Sequence, residues 1–208
     1  MTRLLDVLRT VAEEVAGRAD GLNRLDAEAG DGDLGITATN ASRAILDLLP
    51  SLHGKELPEV LKACGMTISR EAPSTAGTLI ATGLLGASRM AAEISLSGAD
   101  SFARLLDASQ AAIAARGKAE VGSKTMLDAL VPAVTAASSV ANVGGTLAQA
   151  LKSAAAAADQ GAIATANMPP RFGRAAWLAY RSAGHEDAGA RLVAIILATA
   201  AESITEES

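Results

Sequence analysis

Cysteine, aromatic side chains and long apolar runs are all scarce in this chain, and each scarcity excludes something. The single cysteine, Cys64, rules out a disulfide framework and any multi-cysteine zinc site, and it reads as a small buried apolar residue. Only four aromatics occur among 208 residues (Phe102, Phe172, Trp177 and Tyr180), so base-stacking platforms are lacking. Eighteen basic residues against 23 acidic ones give a net charge of -5 with no dense basic patch, which argues against a nucleic-acid partner. The longest apolar run, Leu192 to Ala201, is half of the roughly 20 residues a bilayer span needs, so it reads as a buried helix and no membrane partner is expected. The segment MTRLLDVLRTVAEEV interrupts its apolar residues with Asp6, Arg9, Glu13 and Glu14, the pattern of an amphipathic helix and not of a signal peptide, and a cytoplasmic location is expected.

What is abundant is alanine, 48 of the 208 residues. Alanine is the strongest helix former and a poor strand former, and no segment shows sustained period-two alternation, so the composition predicts a single all-α domain over 1–208 with a core of small side chains. Apolar spacing predicts a first helix over 3–24, others over 36–49 and 58–70 with Pro58 in the first turn, and a glycine-rich helix carrying Gly77, Gly83 and Gly86. Further helices are expected from Asp100 or Ser101, as cap, to about Arg116, and over 125–140, 146–165, 174–182 and 189–203, eight or nine in all. Each helical glycine costs roughly 1 kcal/mol against alanine, so close backbone approach to a neighbour or ligand is the expected compensation.

Four segments carry chemistry. The stretch from Leu25 to Gly35, LDAEAGDGDLG, contains Asp26, Asp31 and Asp33 among three glycines. It formally matches G-x-G-x-x-G, but no strand precedes it, and a bare pyrophosphate would meet the two aspartates inside the loop. An EF-hand fails by counting, because the twelfth position is Thr37 or Ser42 and not glutamate. A magnesium-binding loop remains, with hard oxygen donors on a backbone able to curl around an ion; an ordinary exposed turn is the alternative. The second segment, Gly117 to Thr125, is one residue out of register for a P-loop and has no strand before it; it reads as a glycine loop entering a helix, or as a connecting turn with exposed lysines. Pro73 to Thr78 places small hydroxylated residues at a helix start, suited to phosphoryl oxygens or to a plain N-cap. The fourth runs from Arg171 to Gly189 and holds three of the four aromatics; packing against the last helix pair is the simpler reading for Trp177. His53 and His185 are too few for zinc chemistry, and His53 is expected in solvent.

Taken together these residues resemble the nucleotide-binding (DhaL) subunit or domain of the dihydroxyacetone kinase family. The resemblance rests on Leu25-Asp26 through Gly30-Asp31-Gly32-Asp33 and Gly35, on Val121-Gly122 with Lys124 to Leu130 and Pro132, on Gly173-Arg174-Ala175, and on Arg181-Ser182 with Gly184-His185, Asp187 and Gly189. It implies a barrel of about eight antiparallel amphipathic helices with the nucleotide at one end. By the same resemblance Asp26, Asp31 and Asp33 hold two Mg2+ ions, Leu34, Gly35, Ile36, Thr37, Ser74 and Thr75 border the phosphates of ADP or ATP, and Gly117, Met126, Arg174, Asp187, Ala188 and Gly189 line the nucleoside. It also implies a separate DhaK-like subunit that carries the ketose, a donor that is either ATP or a phosphotransferase-system protein, and leaves a homodimer open. The chain departs from the family's usual residues at Leu34, Ser123 and Ala188. Two other function classes remain at this point: a nucleotide-dependent regulatory module without kinase activity of its own, and a carrier of an apolar ligand inside the barrel.

Overall fold

The structure is a computed structural model that describes residues 2–94, 98–171 and 182–204. Among the described residues there are nine α-helices and no strand: α1 (Thr2–Gly17), α2 (Ala19–Ala29), α3 (Leu34–Leu48), α4 (Leu57–Glu71), α5 (Thr75–Glu93), α6 (Gly98–Gly117), α7 (Leu127–Asn142), α8 (Leu147–Ala164) and α9 (Ala188–Glu202). Eight of them close a ring in which α1 packs on α3, each helix from α3 to α8 packs on the next, and α9 returns to α1. Helix α2 lies outside that order, against α3, α9 and α1. The expected barrel is therefore present, with one additional helix laid over one end.

The core has two textures. On the side of α1, α3 and α4 it is built from large side chains, Leu5, Ile45, Leu49, Leu52, Val60 and Ile68. On the side of α7, α8 and α9 it is almost entirely alanine: Ala129, Ala133 and Ala137 face Ala154, Ala158 and Ala162, with Ala190 and Ala194 beside them. Alanine every fourth residue makes a smooth ridge along each helix, so the axes approach closely and burial per residue stays small, about 0.8 kcal/mol per methyl-sized group. The helical glycines complete this close packing. A Cβ on Gly161 of α8 would overlap the Asp128 carbonyl oxygen of α7, and one on Gly86 of α5 would lie 2.7 Å from the Ala108 carbonyl oxygen of α6. Pro132 in α7 has no N–H to offer that same Asp128 carbonyl, which frees the surface that Gly161 covers. Cys64 is buried and His53 exposed, as the sequence implies.

Several boundaries differ from the sequence expectation. The first helix breaks at Gly17–Arg18; within α1 Leu5 joins the large-side-chain core, whereas Val15 packs with Leu22 of α2, Leu34 and Leu192. Helix α3 ends at Leu48, one residue before the expected limit, and Pro50 follows in a 3-10 turn, Leu49–Leu52. Neither Asp100 nor Ser101 caps α6, which starts at Gly98 with φ +55° and takes both into its first turn, where Ser101 is buried. Helix α7 begins at Leu127 and not Thr125, since Asp128 fixes the preceding turn from below. Pro58, Thr146 and the start of α9 fall as expected, with Thr146 forming a reciprocal capping box with Gln149. The helix expected over 174–182, and with it Trp177, lies outside the described residues apart from Ser182.

Candidate nucleotide and metal site

Four helices begin at one end of the barrel. Leu34 at the start of α3, Ala76 at the start of α5 and Ala188 at the start of α9 share one apolar cluster. Met126, just before α7, lies against the start of α9, because a Cβ on Gly189 would stand 3.5 Å from the Met126 Cβ. Four positive helix-dipole ends are thus gathered in one region, an environment that favours a polyanion.

The acidic loop links α2 to α3 at this end. Gly30 N–H donates to the Asp26 carbonyl at 2.5 Å, and a Cβ on Gly30 would lie 2.5 Å from Asp26 Oδ1, so only glycine lets the chain turn back over that carboxylate. Asp26 Oδ2 then accepts the N–H groups of Asp33 (2.9 Å) and Leu34 (3.3 Å). Gly32 completes the turn with φ +75°. One carboxylate oxygen from each of Asp26, Asp31 and Asp33 lies within 4.8 Å of the others, with Asp26 half-buried and the other two exposed. Three like charges this close repel one another, and a divalent cation with oxygen preference relieves the repulsion. The donor set, all hard carboxylates with exposed positions left for phosphate oxygens, fits Mg2+.

Asn23, which the sequence reading did not single out, belongs to the same construction: its Oδ1 accepts Gly35 N–H at 2.6 Å. Asp33, at the N-cap position of α3, makes no side-chain cap bond, so Asn23 and Asp26 on one face of α2 cap α3 in its place. Their i, i+3 spacing on a helix that ends in an Asp/Gly loop was the available signal. Gly35 has no room for a side chain, since its Cβ would overlap the Ala19 carbonyl oxygen of α2.

Of the expected phosphate-bordering residues, Leu34, Gly35 and Thr37 are buried in the first turn of α3, and Ile36 is 58% exposed. Ser74 is the N-cap of α5, its Oγ accepting Gly77 N–H at 3.0 Å, and Thr75 is exposed beside it. Gly117 ends α6 and Met126 is buried before α7. Asp187 caps α9, its Oδ2 accepting Ala190 N–H at 2.7 Å, followed by Ala188 and Gly189 in the first turn. Arg174 lies outside the described residues.

The loop from Lys118 to Met126 is not the surface turn its lysines suggest. Lys118 is exposed, but Lys124 is 3% exposed, with its ammonium donating to the carbonyl oxygens of Thr165 (2.9 Å), Ser182 (2.8 Å) and His185 (2.7 Å). Asp128, also buried, accepts Gly122 N–H at 2.5 Å and Thr125 N–H at 2.8 Å. The Asp187 N–H donates to Thr165 Oγ1 at 2.8 Å.

Withdrawal of the Asp187 carboxyl from water pushes its pKa up to about 7; Ala190 N–H opposes this, the negative charges of Asp128 and Asp26 add to it, and the positive charge of Lys124 opposes it. Burial lowers the Lys124 pKa, with Asp187 acting against the shift. Because the folded pKa of Asp187 lies above the 3.8 of an ordinary aspartate, the native chain keeps a proton that the unfolded chain has lost, and the associated stability fades as pH rises through about 7. The metal-free protein is therefore expected to melt at a lower temperature at pH 8 than at pH 5.5, and Asp187→Asn, which keeps the cap, should flatten that difference in thermal unfolding scans.

Residues 28–202 match the DAK2 domain family. The ADP-binding subunit DhaL of the PEP-dependent dihydroxyacetone kinase of Escherichia coli K12 is 32% identical over 198 residues, which cover 95% of this chain and 90% of that subunit. The D-erythrulose kinase of Mycolicibacterium smegmatis and the human triokinase/FMN cyclase are each 32% identical over 197 residues, and there the match spans 94% of this chain but only 34% of the relative. The crystal structure of the dihydroxyacetone kinase of C. freundii superposes with a TM-score of 0.79 at 25% identity, covering 98% of this chain and 35% of that one. The chain belongs to the DAK2-domain family, which includes the DhaL subunits.

Proposed function

We propose that this chain is the phosphoryl-donor subunit of a small-ketose kinase: it binds ADP or ATP through Mg2+ at Asp26, Asp31 and Asp33 and hands the phosphoryl group to a ketose held by a separate DhaK-like subunit. The observation that carries the reading is the convergence of those three carboxylates, within 4.8 Å of one another, at the end of the barrel where four helices begin. Leu34 to Thr37, with Ser74 and Thr75, border the phosphates. Gly117, Met126, Asp187, Ala188 and Gly189 line the nucleoside, joined by Arg174 on the strength of the family resemblance. Bound Mg2+, two ions by that resemblance, supplies charge neutralisation and electrostatic stabilisation of the loose phosphoryl-transfer transition state. The aspartates hold position because Asp26 is fixed to the α3 backbone, and the helix dipoles are already oriented toward the phosphates.

The match to 90% of an ADP-binding subunit supports the donor role, and the kinases of dihydroxyacetone, erythrulose and related substrates among the relatives support a small ketose as acceptor. The test combines this chain with a DhaK-type subunit and a ketose, supplying ATP in one arm and phosphoenolpyruvate with the phosphotransferase-system proteins in the other. Ketose phosphate is expected in one arm, only with both subunits and Mg2+ present. Absence of product in both arms overturns the kinase reading.

A further inference from the structure

We propose that Lys124 is a positioning residue for nucleotide retention: its buried ammonium clamps the loop before α7 to the chain segment before α9, so that the two walls of the nucleoside pocket keep their spacing. The inference rests on the nucleotide reading above, and it assigns to Lys124 a role distinct from contact with the ligand.

The geometry is specific. The ammonium has three protons, and three backbone carbonyls receive them, those of Thr165, Ser182 and His185, at 2.7 to 2.9 Å. These acceptors lie 41, 58 and 61 residues away in the chain, so a single side chain joins the α7 loop to the end of α8 and to the approach to α9. Thr165, fully buried, continues the connection by accepting the Asp187 N–H on its hydroxyl. At the other end, Asp128 receives the N–H groups of Gly122 and Thr125, fixing the backbone on both sides of Lys124. The main chain at Lys124 has φ +59°, in the left-handed region, as does the exposed Lys118 of the same loop at φ +53°.

A plain packing role accounts poorly for this arrangement. Burying an ammonium costs several kcal/mol even when it is well hydrogen-bonded, and an apolar side chain of similar length fills the same volume without that cost. What the ammonium supplies and methionine does not is direction. A carbonyl turned toward Lys124 turns the next N–H of its planar trans peptide the opposite way, so His185 pointing inward directs the Glu186 N–H away from the lysine. The clamp thereby orients the backbone immediately ahead of Asp187, Ala188 and Gly189, while its other end sits two residues from Met126.

The test measures release of a fluorescent ADP analogue, with Mg2+, from the full chain by stopped flow. Lys124→Met is expected to speed release at least 20-fold, Lys124→Arg, which keeps charge and donors, to stay within about 5-fold of the parent, and the KM for ketose in the reconstituted kinase to remain unchanged. A purely structural lysine would instead lower the melting temperature of Lys124→Met and leave the release rate of the folded protein unaltered, a result that overturns the inference. Should Lys124→Met fail to fold, hydrogen exchange on the unmodified chain decides: Mg2+-ADP is expected to protect residues 121–125 and 183–187 together, and protection confined to 183–187 overturns the clamp. If the unmodified chain binds no Mg2+-ADP, the nucleotide reading falls and the clamp with it; if it binds and Lys124→Met releases at the parental rate, the clamp alone falls.

Discussion

Asp33→Asn lowers the affinity for Mg2+-ADP by about 100-fold or more while leaving the helical circular-dichroism signal unchanged. The magnitude follows from the position: even outer-shell partners of a bound metal are worth roughly 10- to 100-fold in affinity, and Asp33 offers a direct, exposed carboxylate oxygen. The fold is spared because the capping of α3 is carried by Asn23 and Asp26, not by the Asp33 side chain. Asp26→Ala forms the contrast. It removes a candidate ligand and also the acceptor for the Asp33 and Leu34 N–H groups, so binding and melting temperature are expected to fall together. Calorimetric titration with thermal unfolding of both variants checks the pair, and an Asp33→Asn protein with parental affinity would remove the aspartate loop from the nucleotide site.

A large loss of stability is expected from Gly35→Ala. A methyl group there overlaps the Ala19 carbonyl oxygen, and neither backbone can withdraw without parting α2 from α3. Overpacking of this kind costs about 3 kcal/mol, which for a chain of this length lowers the melting temperature by roughly 6 to 12 °C. Because the same displacement pulls Asp26 away from Asp33, Mg2+-ADP affinity should fall as well. Gly21→Ala, on α2 with nothing within 4 Å of the added carbon, serves as the control and is expected to be neutral or slightly stabilising. An unchanged melting temperature for Gly35→Ala would show that α2 is not held against α3 as described.

How much of this was legible in the sequence follows from the range of each interaction. The all-α fold and most helix limits were, because alanine content, apolar spacing and caps such as Thr146 act within a few residues. Asp26, Asp31 and Asp33 were legible because a short loop brings them together by itself. The break at Gly17–Arg18 was hidden, since the 3.6-residue stripe continues through it. Asn23 was missed because it acts on Gly35, 12 residues on, and the burial of Lys124 because every partner of its ammonium is more than 40 residues away. A charged side chain in a polar loop reads as solvent-exposed until the carbonyls that receive it are brought near by the closure of α8 and α9 over α7. Asp128 stands in the sequence only within the Lys124–Leu130 motif; its role under the loop is visible with the turn that it organises.

The central claim is that this chain grips a nucleotide through a cation held by the acidic loop. Titration of ADP into the unmodified protein, once with Mg2+ and once with EDTA, tests it most directly. Saturable binding with Mg2+ that disappears with EDTA is the predicted result, and equal binding under both conditions would contradict the account.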